Sequence, residues 1–112
     1  MSKIRFSKTP TFKKAEKKLE KRYPSFKGDL KEFTKSLEKN PEQGTKLAGG
    51  FRKIRMSIAS KGKGKSGGAR VITLNCLVAE LEGEIILAMI YDKSDTENVS
   101  QAEINAAVKG KK

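Results

Sequence analysis

Apolar positions change their spacing midway along the chain. In the first half, Phe12, Ala15 and Leu19 recur at helical intervals, and Leu30, Phe33 and Leu37 do the same. Thr9-Pro10 is a start signal for the first segment, because threonine can cap a helix and proline suits its first position. Lys13, Lys14, Lys17, Lys18 and Lys21 fill the opposite face, partly balanced by Glu16 and Glu20. The helix must stop before Pro24, since the residue preceding proline avoids the helical region. The second segment closes at Asn40-Pro41. A helical hairpin over residues 9–40 is predicted, turning near Tyr23-Pro24-Ser25. Ahead of it, residues 3–6 (KIRF) suit a short strand.

Past Gly49-Gly50 the period shortens to two. In residues 51–57 (FRKIRMS), Ile54 and Met56, followed by Ile58, take one face, while Lys53, Arg55 and Ser57 take the other. Same-face neighbours on a strand stand about 6.5–7 Å apart, so Lys53 and Arg55 are expected side by side. Residues 69–78 (ARVITLNCLV) read as a second strand and Glu82-Gly83 as a turn. Residues 84–91 (EIILAMIY) are nearly continuously apolar, the mark of a central strand covered on both sides. Residues 93–99 read as a polar loop. Ser100 and Glu103 then form a capping-box pattern ahead of Ile104, Ala106, Ala107 and Val108, which predicts a terminal helix over 100–109. The expected class is α+β: a helical hairpin, a mostly antiparallel sheet over 51–92, and a short last helix. Alternation puts Arg70 on the parity of the apolar Ile72, Leu74 and Cys76, and a bulge at Gly67-Gly68 is one way to re-aim it. Cys76 is expected to be a small core residue.

Size and charge narrow the function. The 112 residues suit one domain, 1–112, with a modest core. Twenty-five Lys and Arg against 13 Asp and Glu leave a net charge of +12, which favours polyanionic partners. No run is long and apolar enough for a membrane span, and the first residues lack the apolar core of a secretory signal, so a cytoplasmic location is expected. The absence of histidine removes Ser-His-Asp and Cys-His catalysis, and the lone Cys76 forms no intrachain disulfide. No metal site and no cofactor are expected.

The stretch KGKGKSGGAR, residues 61–70, contains the letters GKS of a phosphate-binding P-loop. That motif needs a glycine five residues before Gly64, where Ala59 stands, and a helix after it, where the β-branched Val71 and Ile72 stand. The loop is better read as a basic connection between two strands. With Lys53, Arg55 and Arg70 beside it, it makes one cationic surface suited to a nucleic-acid backbone.

Taken in order, the two helices, KLAGGFRKIRMS, KGKGKSGGARVI, IILAMIYDKSDTENVS and the short final helix resemble the RelE/ParE toxin superfamily of bacterial type II toxin–antitoxin systems. The likeness runs from about residue 3 to 108 and is greatest to the HigB/RelE-type branch. It implies a RelE-like fold in which the N-terminal hairpin packs on a curved sheet. It also implies a ribosome-dependent mRNA endoribonuclease that uses the 2′-hydroxyl to attack the adjacent phosphate without a metal, and so inhibits translation. The implied partners are a cognate antitoxin, of the helix-turn-helix HigA-like kind, the ribosome and mRNA. By the same resemblance Arg70, Lys53, Arg55, Lys93 and Tyr91 are the candidate catalytic residues. Lys61, Lys63, Lys65 and Arg52 are the candidate contacts to RNA or the ribosome. Arg70 is the candidate for holding the phosphate, because a guanidinium fork reaches two of its oxygens. Lys53 or Lys93 could be the base, and Tyr91 could donate to the leaving oxygen or stack on a base. Two other readings stay open: a ParE-like poison of DNA gyrase, and a non-catalytic basic RNA-binding module.

Overall fold

The computed structural model of the chain describes residues 3–62, 67–79, 81–96 and 98–109. It is α+β, with three helices and a five-stranded mixed sheet among those residues. Strand β1 (Lys3–Lys8) leads through Thr9 into helix α1 (Pro10–Arg22). The Thr9 hydroxyl accepts the Phe12 amide, and Pro10 fills the first turn, so the start signal works as the sequence suggests. Tyr23 ends α1 in extended geometry ahead of Pro24, and helix α2 (Phe26–Lys39) follows after a short turn. A two-residue strand β2 (Thr45–Lys46) follows, then β3 (Phe51–Met56), β4 (Ala69–Ala79), β5 (Glu82–Asp92) and helix α3 (Gln101–Lys109). At its start the backbone amide of Ser100 meets the Glu103 carboxylate at 3.0 Å, and the Ser100 hydroxyl accepts the Glu103 amide at 3.1 Å. That is the reciprocal capping pair.

The strand order is β1-β5-β4-β3-β2. All neighbouring pairs are antiparallel except β1 with β5, which run parallel; β5 lies between β1 and β4 and so has a neighbour on each side, as its apolar run requires. No helix among the described residues is long and apolar enough to cross a membrane.

Each face of the sheet has its own apolar cluster. Against α1 and α2 pack Ile54, Met56, Val71, Ile85, Leu87 and Ile90, with Phe12, Leu19, Phe26, Phe33 and Leu37 from the helices. On the other face, Phe51, Ile72, Ala88 and Tyr91 pack against Ile104 of α3. The short α3 covers one end of this second face and leaves the rest open.

A register shift separates the two halves of β4–β5: Ile72 pairs with Met89, but Thr73 pairs with Leu87. Ala88 is therefore the extra residue of a β-bulge. The consequence is a change of parity. Leu87 and Ile90 lie on the same helix-covered face although three residues apart. Tyr91 is delivered to the face of Arg70, and Asp92 to the helix side. The Thr9 hydroxyl donates to the Ala88 carbonyl at 2.7 Å, and the Thr9 amide donates to the Leu87 carbonyl at 3.2 Å. One buried threonine thus caps α1 and satisfies the backbone at the bulge.

Three expectations need correction. The register shifts fall at Ala88 in β5 and near Val78 in β4, and Arg70 keeps the parity of Ile72 and Leu74, so its side is set without re-aiming at Gly67-Gly68. The turn falls before Glu82, with Gly83 inside β5 opposite Leu77. A Cβ on Gly83 would stand 2.6 Å from the Cys76 carbonyl oxygen, and its φ of +135° suits glycine. Cys76 is exposed, because β4 runs past the area covered by α3.

Candidate nucleic-acid interface

The face of the sheet left open by α3 carries the cations. Antiparallel register sets Arg55 of β3 opposite Arg70 of β4, and Arg70 opposite Tyr91 of β5. Lys53, opposite Ile72, is the next same-face residue along β3. Directly opposed residues on an antiparallel pair have Cβ atoms about 4.5–5.5 Å apart, and like charges there are destabilising. The register thus brings two guanidinium-bearing residues side by side on this face.

A cavity of about 520 Å³ opens over this row, lined by Lys53, Arg55, Arg70, Lys93, Asn98 and the loop 43–45, among others. Among the described lining residues four are cations and none is an acid. Arg70 is 8% exposed, and its guanidinium donates to the Ala69 carbonyl at 3.2 Å, so its stem is held within the sheet surface. Lys53 donates to the Asn98 side-chain oxygen at 3.1 Å, which ties the loop before α3 to β3. The Lys93 amide donates to the Gly68 carbonyl at 3.1 Å, fixing the chain after β5 against the start of β4.

The wall formed by residues 43–45 was not apparent from the sequence. Gly44 lies so close to β3 that a Cβ there would stand 2.4 Å from the Lys53 carbonyl oxygen, and its φ is +84°. The local signal was a glycine in a polar segment after Pro41, which says turn but not which strand the turn will meet. Asn98 was hidden in the same way, in a stretch that reads only as loop.

Tyr91 does not line the cavity. Its ring packs with Phe51, Ile72, Ala88 and Ile104, and its hydroxyl is buried without a hydrogen-bond partner among the described residues. Burial pushes its pKa up, and the nearby Arg70 charge pulls it part of the way back. As placed, it is a protonated phenol beside Arg70 on the same face.

Arg52 and Lys61 are also directed elsewhere. Arg52 belongs to the opposite parity of β3 and donates to the Glu42 carbonyl at 2.8 Å, where it braces the loop after α2. The Lys61 ammonium donates to Asp92 at 2.5 Å and to the Gly68 carbonyl at 3.2 Å, and its side chain is 8% exposed. Lys63 and Lys65 lie outside the described residues.

Asp92 is the centre of a cluster on the helix side. Besides Lys61 it accepts the Tyr23 hydroxyl at 2.5 Å, an Arg22 guanidinium nitrogen at 3.0 Å and the Ser94 amide at 2.8 Å. Arg22 also meets Asp95 at 2.7 Å. Burial by itself would raise the Asp92 pKa; the donors Lys61, Tyr23, Ser94 and Arg22 outweigh it and hold the carboxyl well below the usual range. The hydrogen bonds to Asp95 and Asp92 raise the Arg22 pKa, and the bond to Asp92 raises that of Tyr23.

Comparison with models of known protein families gives no match, and comparison with curated proteins gives none.

Proposed function

We propose that the protein is the toxin of a type II toxin–antitoxin pair, acting as a ribosome-dependent mRNA endoribonuclease. The observation that carries the reading is the directly opposed Arg55–Arg70 pair at a cavity also lined by Lys53 and Lys93. Such a site suits a phosphodiester. In the proposed reaction the 2′-hydroxyl attacks the adjacent phosphorus, its proton passes to a base, and the 5′-oxygen leaves with a proton. The products are a 2′,3′-cyclic phosphate and a 5′-hydroxyl. Charge grows on the phosphate oxygens in the transition state, where fixed cations stabilise it without having to reorganise.

Roles follow from placement. Arg70 and Arg55 hold the phosphate oxygens, Arg70 with the more firmly seated side chain. Lys53 and Lys93 line the cavity and are the candidate proton carriers by position. Tyr91 stands opposite Arg70 on the neighbouring strand, outside the cavity lining. The partners in this reading are the ribosome, mRNA and a cognate antitoxin, in the cytoplasm.

The test is cleavage of mRNA on translating ribosomes by the wild type and by Arg70→Ala. The wild type is expected to cut and leave cyclic-phosphate or 3′-phosphate ends, and the variant to be strongly impaired. Intact messages with the wild type would end the ribonuclease reading, and trapped gyrase–DNA breaks would replace it with a gyrase poison. Unchanged cleavage by the variant would remove Arg70 from the site.

A further inference from the structure

The Asp92 cluster bears on how many of the protein's cations touch RNA. Lys61 stands at the head of the basic stretch that the sequence assigns to phosphate contact, yet its ammonium is turned inward. Asp92, with a side chain 1% exposed, receives it together with the Tyr23 hydroxyl and Arg22. The Tyr23 ring adds a second attraction, its centroid 5.8 Å from the Lys61 nitrogen. The same ammonium bonds the Gly68 carbonyl, which in turn accepts the Lys93 amide. The two described ends of the basic loop, Lys61 and Gly68, are therefore pinned to each other and to the end of β5. Ser60 is held from the other side, its amide donating to the Ser25 hydroxyl at 2.9 Å.

The bulge at Ala88 makes this arrangement possible. It sends Tyr91 to the cavity face and Asp92 to the helix face at the same level of the sheet, opposite Arg70 and Ala69 respectively. One strand end thus sets Tyr91 beside Arg70 on one side and draws a cation away on the other.

We infer that Asp92 is a positioning residue that withholds Lys61 from phosphate and clamps the base of the basic loop, so that backbone contacts concentrate on the cavity row of Lys53, Arg55, Arg70 and Lys93. This rests on the reading of that row as an RNA surface. The clamp does not compete with the row, because the two occupy opposite faces.

Two measurements test it on the full chain. The first is the salt dependence of binding to a single-stranded RNA oligonucleotide, whose logarithmic slope changes by about 0.7 for each phosphate neutralised. Lys61→Met alone is expected to leave the slope at its wild-type value. Asp92→Asn is expected to steepen it by about 0.7 as Lys61 is released, with Arg22 retained by Asp95. Adding Lys61→Met to Asp92→Asn should reverse that change. The second measurement is amide exchange at Lys61, Gly62 and Lys93, expected to quicken in Asp92→Asn while the Val71 and Leu87 amides in the core strands do not change.

A slope that falls by about 0.7 in Lys61→Met alone would place Lys61 on phosphate in the wild type and overturn the inference. So would an Asp92→Asn protein with unaltered slope and exchange. If wild-type protein binds no free RNA, cleavage on ribosomes still decides the proposed function, and the exchange measurement decides the clamp. Should Asp92→Asn not fold, Tyr23→Phe removes one hydrogen bond from the cluster; unaltered exchange at Lys61 and Gly62 would then refute the clamp.

Discussion

Arg70 and Thr9 show how much a single side chain can decide here. Arg70 sits at a strand position next to the buried Ile72 of the same parity, and yet it lines the cavity. Removing one donor from a site that stabilises developing oxyanion charge costs about 2–4 kcal/mol in the transition state. Arg70→Ala is therefore expected to slow single-turnover cleavage on ribosomes by about a hundredfold or more. Thr9 is fully buried and serves both α1 and the bulge. Thr9→Val keeps the shape and loses both hydrogen bonds, leaving the Phe12 amide and the Ala88 carbonyl unsatisfied. A loss of about 2 kcal/mol in unfolding free energy is expected from the cap and the buried carbonyl together, measurable by urea titration.

At the level of elements, β5 and α3 divide the work on the open face. β5 would alternate strictly were it not for Ala88; with the bulge, residues on either side of it belong to different patterns. Apolar content alone could not reveal this, because residues 85–90 are all apolar and any register buries them. α3 is a nine-residue helix that holds the face through Ile104, with Ala107 also buried. Helices this short depend on caps and packing. Ser100→Ala removes the hydroxyl that caps the Glu103 amide and is expected to cost about 1 kcal/mol. Its mark should be faster amide exchange within α3, with the β4–β5 strands unaffected.

Across the whole molecule, charge is unevenly used. Most of the excess cations are on exposed surface, while Asp92 is buried and held far below the usual carboxylate pKa by its donors. A carboxylate with a lowered folded-state pKa adds stability that is fully present above its unfolded value of about 3.9 and is lost as pH falls through the folded one. The stability difference between wild type and Asp92→Asn should therefore stay level from neutral pH down to about 5 and shrink below about 4. A difference that shrank between neutrality and pH 5 would contradict the placement of Asp92 among its donors.

The local elements were legible in the sequence, since caps, proline positions and apolar periods act over a few residues. Thr9-Pro10, the Tyr23-Pro24 break, the Ser100–Glu103 box and the Lys53/Arg55 parity all follow from that range of interaction. Features that depend on distant partners emerged only in the folded chain. The parallel pairing of β1 with β5, the bulge at Ala88, the approach of Gly44 to β3 and the capture of Lys61 by Asp92 each join residues far apart in the chain. Lys61 makes the distinction plain. Its neighbours in sequence present it as one more solvent-facing cation, and only a buried carboxylate 31 positions away turns it inward.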